Sequence, residues 1–123
     1  MSTLLEARDT LETTLSTAGI RVTRDPAGLP SAAPAAMLYG DGVDVGHIGR
    51  GQVIAGFRIL LVAGAWDGAS MADILAGLVS TALTALRALD GWPVGEVGPD
   101  SAVTVGSNRL LGCDIRTSTV VTV

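Results

Sequence analysis

The 123 residues are 48% hydrophobic and only 16% charged, with a formal net charge of −4 and a mean hydropathy of +0.49. So little charge leaves apolar surface on a domain this small, which points to a chain whose surface is covered by partners. The acidic balance excludes a broad basic footprint for duplex nucleic acid, and 3% aromatic residues exclude a stacking platform for single strands.

Residues 3 to 18 read as a helix. Thr3 with Glu6 fits a capping box, Leu4, Ala7, Leu11, Leu15 and Ala18 fall on one stripe, and Gly19 suits the position just past the end. Gly19 to Arg24 alternates as a short strand. Asp25 to Pro34 carries Pro26, Gly28, Pro30 and Pro34 and reads as a loop. Ala35 to Tyr39 suits a strand, and 40–51 reads as a glycine-dense connection. Gln52 to Ala65 is a long apolar strand, with Val53, Ala55, Phe57, Ile59, Leu61 and Ala63 on one face. Its other face carries Ile54, Arg58, Leu60 and Val62. Two apolar faces place it centrally in a sheet, or set one face against another subunit.

Ser70 with Asp73 predicts the capped start of a second helix running to about Leu89, before Gly91. Its polar positions, Asp73, Ser80, Thr84 and Arg87, form a narrow stripe, so it is expected to be the mostly buried core helix. Trp92 to Asp100 reads as a loop. Ser101 to Val105 and Leu110 to Val123 predict a hairpin around Gly106-Ser107-Asn108. The expected fold is α+β, a mixed or antiparallel sheet packed with two helices in the order α-β-β-β-α-β-β, as one domain over 1–123.

All eight basic residues are arginine, so a Walker loop, which needs lysine, is excluded. One cysteine, Cys113, allows no internal disulfide, and it lies at strand spacing in an apolar face, as a small core residue does. His47 is the only histidine, and no Gly-x-Ser-x-Gly elbow surrounds a serine. Gly46, Gly49 and Gly51 lead into a strand, not a helix, so they are not a dinucleotide fingerprint. Residues 1–9 carry acids and no apolar core, which is not a signal-peptide pattern. The run from Ile59 to Trp66 is too short to span a bilayer, so folding in a cytoplasm is expected.

Asp41, Asp44 and His47, at i, i+3 and i+6, do not match a calcium loop and suit a soluble loop tip that docks on a neighbour. Arg50, Arg58, Arg109 and Arg116 lie on or beside strands, where arginine pairs with carboxylates: across a subunit boundary such pairs set register, and within one subunit they are ordinary surface pairs. Asp41, Asp44, His47, Arg50, Arg58 and Arg116 are therefore the candidate interface residues. No catalytic residue, cofactor or metal ligand is expected.

The stretch from Leu11 to Pro26, then Gly56-Phe-Arg-Ile-Leu-Leu-Val62, the helix Ala72 to Leu89 and the long final strand together resemble the tail terminator and tail-completion proteins of long-tailed bacteriophages. The resemblance lies in element order and texture across nearly the whole chain. It implies a structural virion protein without chemistry, made in the host cytoplasm and carried at the head-proximal end of the tail. Such subunits form a homo-oligomeric ring of about six copies on the tail tube protein. The ring stops tube polymerisation and meets the head-tail connector protein, and DNA passes through it without sequence-specific binding. Three competing readings make different demands. A head-to-tail adaptor or minor tail protein shares every feature named. A small dimeric module for a hydrophobic ligand needs an apolar cavity between sheet and core helix. An enzyme built on Cys113 or His47 needs an exposed thiol of lowered pKa.

Overall fold

The computed structural model describes residues 3–45 and 51–122. Its elements in chain order are α1 (Leu4–Thr17), β1 (Val22–Thr23), a 3-10 turn (Pro26–Gly28), α2 (Leu29–Ala32), β2 (Ala35–Asp44), β3 (Gln52–Ala65), α3 (Met71–Arg87), β4 (Val94–Val97), β5 (Ser101–Val105) and β6 (Asn108–Thr122). The fold is α+β. Among the described residues a six-stranded sheet runs β1-β2-β3-β6-β4, with β5 pairing β6 farther along the same outer edge as β4. Every pair is antiparallel except β1 with β2.

The ends of α1 form as the sequence predicts. The Thr3 hydroxyl accepts from the Glu6 N–H at 3.3 Å, and the Thr3 N–H donates to Glu6 Oε1 at 3.3 Å. At the other end Gly19 takes φ +92°, the Ile20 N–H donates to the Leu15 carbonyl, and the Gly19 N–H donates to Ser16. This closing pattern needs a left-handed residue, which glycine adopts without a Cβ penalty. It buries Ile20 against the helix instead of leaving it on a strand, so β1 shrinks to two residues.

Both faces of β3 are covered, but by different means. Ala55, Phe57, Ile59 and Leu61 face α1 and α3 and pack with Leu11, Leu15, Leu75, Leu86, Trp92 and Ile115 in the main core. On the reverse face Leu60 and Val62 meet Leu29, Ala35 and Leu110 in a smaller cluster. Residues 26–32 are thus more than a loop. Asp25 caps a single 3-10 turn by accepting from the Ala27 N–H, and the following turn, α2, drives Leu29 onto the reverse face. Among the described residues there are therefore three helices where two are predicted, the added one a single turn.

β2 runs on through Gly40 to Asp44, where a glycine-dense connection is predicted. The long ladder to β3 overrides weak local propensity. It does so around a bulge: Gly40 faces Phe57 and Val43 faces Ala55, so Asp41 and Gly42 together oppose Gly56. Gly42 takes φ +92° there. A Cβ on Gly56 would stand 3.0 Å from the Asp41 carbonyl oxygen, so the approach of the two strands needs glycine.

α3 differs most from expectation. Only Leu75, Ala82 and Leu86 of this helix are buried, while Ala72, Ala76, Gly77, Ser80, Thr81 and Thr84 are exposed. It docks by one stripe, and its outer face is made of small residues rather than covered. Ser70 also makes no cap: it sits in the left-handed region, at φ 67°, with no side-chain hydrogen bond to the helix. β4 forms inside the predicted 92–100 loop by pairing with Thr117, Arg116 and Ile115 of β6.

Candidate functional site

The face of the sheet opposite α1 and α3 is covered only at the Leu60–Val62 end, by the α2 turn. The remainder carries a set of charges that strand alternation brings to one side. Tyr39 pairs with Arg58, Arg58 with Arg116, and Arg116 with Glu96, so β2, β3, β6 and β4 contribute one residue each to a single cross-strand row. Two arginines stand side by side in that row. Each is drawn to its own acid: Arg58 Nε lies 3.8 Å from Asp114 Oδ1, and Arg116 lies 3.7 Å from Asp41 and 3.5 Å from Glu96. Arg116 reaches Asp41 across β3 because Gly56 puts no side chain between them. The Arg58 guanidinium also sits over the Tyr39 ring, 5.2 Å from its centroid.

These pairs are half-exposed, and such pairs contribute at most about 1 kcal/mol each. Arg58 Nε and Asp114 Oδ1 are shielded from solvent but make no hydrogen bond. They face each other at 3.8 Å, an ion pair longer than a hydrogen bond.

Asp41, Arg58 and Arg116 of the candidate set thus converge on one surface. Asp44 continues the same strand beyond the bulge, paired in register with Ile54. His47 and Arg50 lie outside the described residues. Arg109, by contrast, lies near the start of β6, seven residues before Arg116, and packs its guanidinium 4.7 Å from the Trp66 ring centroid.

Sequence reasoning missed the sheet edges. Among the described residues β1 covers β2 only at Ala36 and Met37, so Leu38 to Val43 have no strand on their outer side. At the opposite edge β4 and β5 pair only with β6. Each edge has a recess on the helix side, apolar beside β2 and mixed beside β4, where Arg87 and Asp90 also line it. Beside β2, a cleft of about 410 Å³ is lined by Leu4, Leu5, Arg8, Gly40, Val43 and Phe57. Beside β4, a groove of about 590 Å³ is lined by Leu83, Leu86, Leu89, Trp92, Val94 and Val97. Leu5 at 69%, Val43 at 50% and Val97 at 42% are among the most exposed large apolar side chains, and all three flank these recesses. The alternation of β2 carried a faint signal, but its glycines masked it.

Cys113 is buried in the main core, and its thiol donates to the Gly98 carbonyl at 3.1 Å. Burial first, then the nearby Asp100 and Asp114 carboxylates, push its pKa up. That is the reverse of an activated thiol. The interface between sheet and α3, where a ligand module needs its cavity, is packed by Leu75, Leu86, Phe57 and Trp92, with the two aromatic rings 5.6 Å apart. Among the described residues no three His, Cys, Asp or Glu side chains converge to hold a metal ion. No described helix is long and apolar enough to cross a membrane.

The candidate site is therefore a charged, half-covered sheet face bounded by two sheet edges that carry little strand cover among the described residues. No protein-family model and no curated protein matches the chain.

Proposed function

We propose that this chain is a structural subunit of a long-tailed phage, one copy of a ring that caps the tail tube, ends its polymerisation and joins it to the head connector. The observation that carries the reading is the pair of open sheet edges, each flanked by exposed apolar side chains, at opposite sides of one rigid sheet. A subunit with two different sticky edges assembles head to tail and closes when the rotation per copy permits. The resemblance in element order to tail terminators supplies the particular place in the particle. The net charge of −4 suits a ring through which DNA slides without adhering. A head-to-tail adaptor or minor tail protein would use the same surfaces and differ only in its position.

The test is absolute mass by light scattering across concentrations, with negative-stain images of the same sample, alone and with tail tubes. Closed rings of about six copies that bind tube ends are the expected result. A chain that forms no ring, and does not cap or shorten tubes when added during their assembly, removes the proposal.

A further inference from the structure

The ring reading leaves open which surfaces meet, and the register of the sheet answers this. It rests on that reading but is tested apart from it. Between the two edges lie β2, β3, β6 and β4, each antiparallel to the next. Four strands in strict alternation leave β2 and β4 running in opposite directions. A copy added by rotation about an axis along the strands then places its β4 antiparallel to the β2 already present, with the helices of both copies on the same side. The sheet continues across the boundary without a break in pattern.

A closed ring has no rise per copy, so the edges meet at equal height. Three rows of the ladder then run on into the neighbour. The row Leu38, Ile59, Ile115, Val97 brings the neighbour's exposed Val97 beside the buried Leu38. The row Gly40, Phe57, Thr117, Val94 brings the neighbour's Val94 to Gly40, where the missing side chain opens the cleft lined by Leu4, Leu5 and Val43. The charged row Tyr39, Arg58, Arg116, Glu96 brings the neighbour's Glu96 beside Tyr39.

Charge decides between this pairing and its rivals. The last row ends in an acid on the β4 side and has a second arginine, Arg58, one strand in from the β2 side. Across the boundary it reads acid, two arginines, tyrosine, then the neighbour's acid. Glu96 and Arg58 would then be two strands apart, with the Tyr39 ring, over which Arg58 already sits, between them. The neighbour's Glu96 would add a second acid to an arginine whose Nε already lies 3.8 Å from Asp114 Oδ1. A two-fold pairing of β2 with β2 centred on Asp41, or of β4 with β4 centred on Glu96, instead opposes acid with acid, which is unfavourable. The edges also fit in length: β1 blocks β2 above Leu38, and β4 leaves its ladder after Val97.

We infer that copies of this chain join through the outer edge of β2 in one and β4 in the next, antiparallel, with the neighbour's Val94 in the cleft at Gly40 and its Glu96 beside Tyr39.

The experiment uses two variants of the full chain. Gly40→Asp puts a charge in the cleft, where a Cβ meets no atom within 4 Å, and Val97→Asp charges an exposed side chain. Both should keep the wild-type circular dichroism spectrum. Each alone should be monomeric by native mass spectrometry. Mixed, they should form a 1:1 heterodimer and nothing larger, since each retains the edge that the other has lost. Rings formed by either variant alone overturn the inference while leaving the ring reading intact. Wild-type open chains, together with a variant heterodimer, overturn the ring reading and leave the edge pairing standing. A mixture that stays monomeric, or a wild-type chain monomeric at every concentration, overturns the pairing.

Discussion

Two adjacent residues of α3 should respond in opposite ways to substitution. Leu75 is fully buried in the main core, whereas Ala76 is exposed on the small-residue face. Leu75→Ala removes buried methyl groups and leaves a cavity, which costs about 2.5–5 kcal/mol. Ala76→Asp buries nothing and loses only helix propensity, about 0.5–1 kcal/mol. With a urea m-value of roughly 1.5 kcal/mol per M, the midpoint should fall by about 2–3 M for the first and by less than about 0.7 M for the second. Urea titrations followed by circular dichroism, at a concentration where the chain is monomeric, read both. If Ala76→Asp is as damaging as Leu75→Ala, a charge has been placed in a buried site. The one-stripe docking of α3 would then be wrong.

Three other outcomes follow from the geometry. Adding one carbon at Gly112 sets a Cβ 2.8 Å from Val103 Cγ2 and 3.0 Å from the Leu61 carbonyl oxygen, so Gly112→Ala should lose about 1–3 kcal/mol in the same titration. A double-mutant cycle on Arg116 and Asp41 should give a coupling below about 1 kcal/mol that shrinks as salt is raised, because both side chains are substantially exposed. Cys113 should resist a thiol probe in the native state at neutral pH and label only on unfolding. Its pKa is raised by folding, so the stability tied to its protonated form is complete below the ordinary thiol pKa and is lost as pH rises through the folded value. Stability measured against alkaline pH should therefore slope down, and Cys113→Ala should flatten that slope.

Local signals in the sequence identify α1, β3 and the β5–β6 hairpin because each carries its own cause: a capping box, a two-sided apolar run, a short turn at Gly106 and Ser107. Where the cause is tertiary, they fail. β4 is Val-Gly-Glu-Val, which has no strand signature until β6 offers it a ladder. The outer half of β2 looks like a loop because three of its residues are glycine or aspartate in succession, yet β3 holds it. α3 misleads for a different reason. Hydropathy scores alanine as apolar wherever it stands, so an exposed face of alanine, glycine and serine reads the same as a buried one.

The candidate surface divides along the same line. Residue type singled out Asp41, Arg58 and Arg116, since charges on strands demand partners. That Arg116 meets both Asp41 and Glu96 depends on Gly56 and on the bulge, which only register reveals. Leu5, Val43 and Val97 escaped notice because Leu5 lies off the apolar stripe of α1, and Val43 and Val97 fall in segments that read as loops.

The bulge at Asp41 and Gly42 separates direction from composition. Without Gly42 the ladder would pass from Gly40 opposite Phe57, through Asp41 opposite Gly56, to Val43 opposite Ala55, with each side chain on the face it now occupies. What would vanish is the added local twist and bend that a supernumerary residue gives a strand. The angle at which the outer end of the β2–β3 hairpin departs from the body can therefore be retuned by inserting or deleting one residue. No packed side chain need change, so the trajectory of the hairpin can drift between related chains while its buried contacts stay the same.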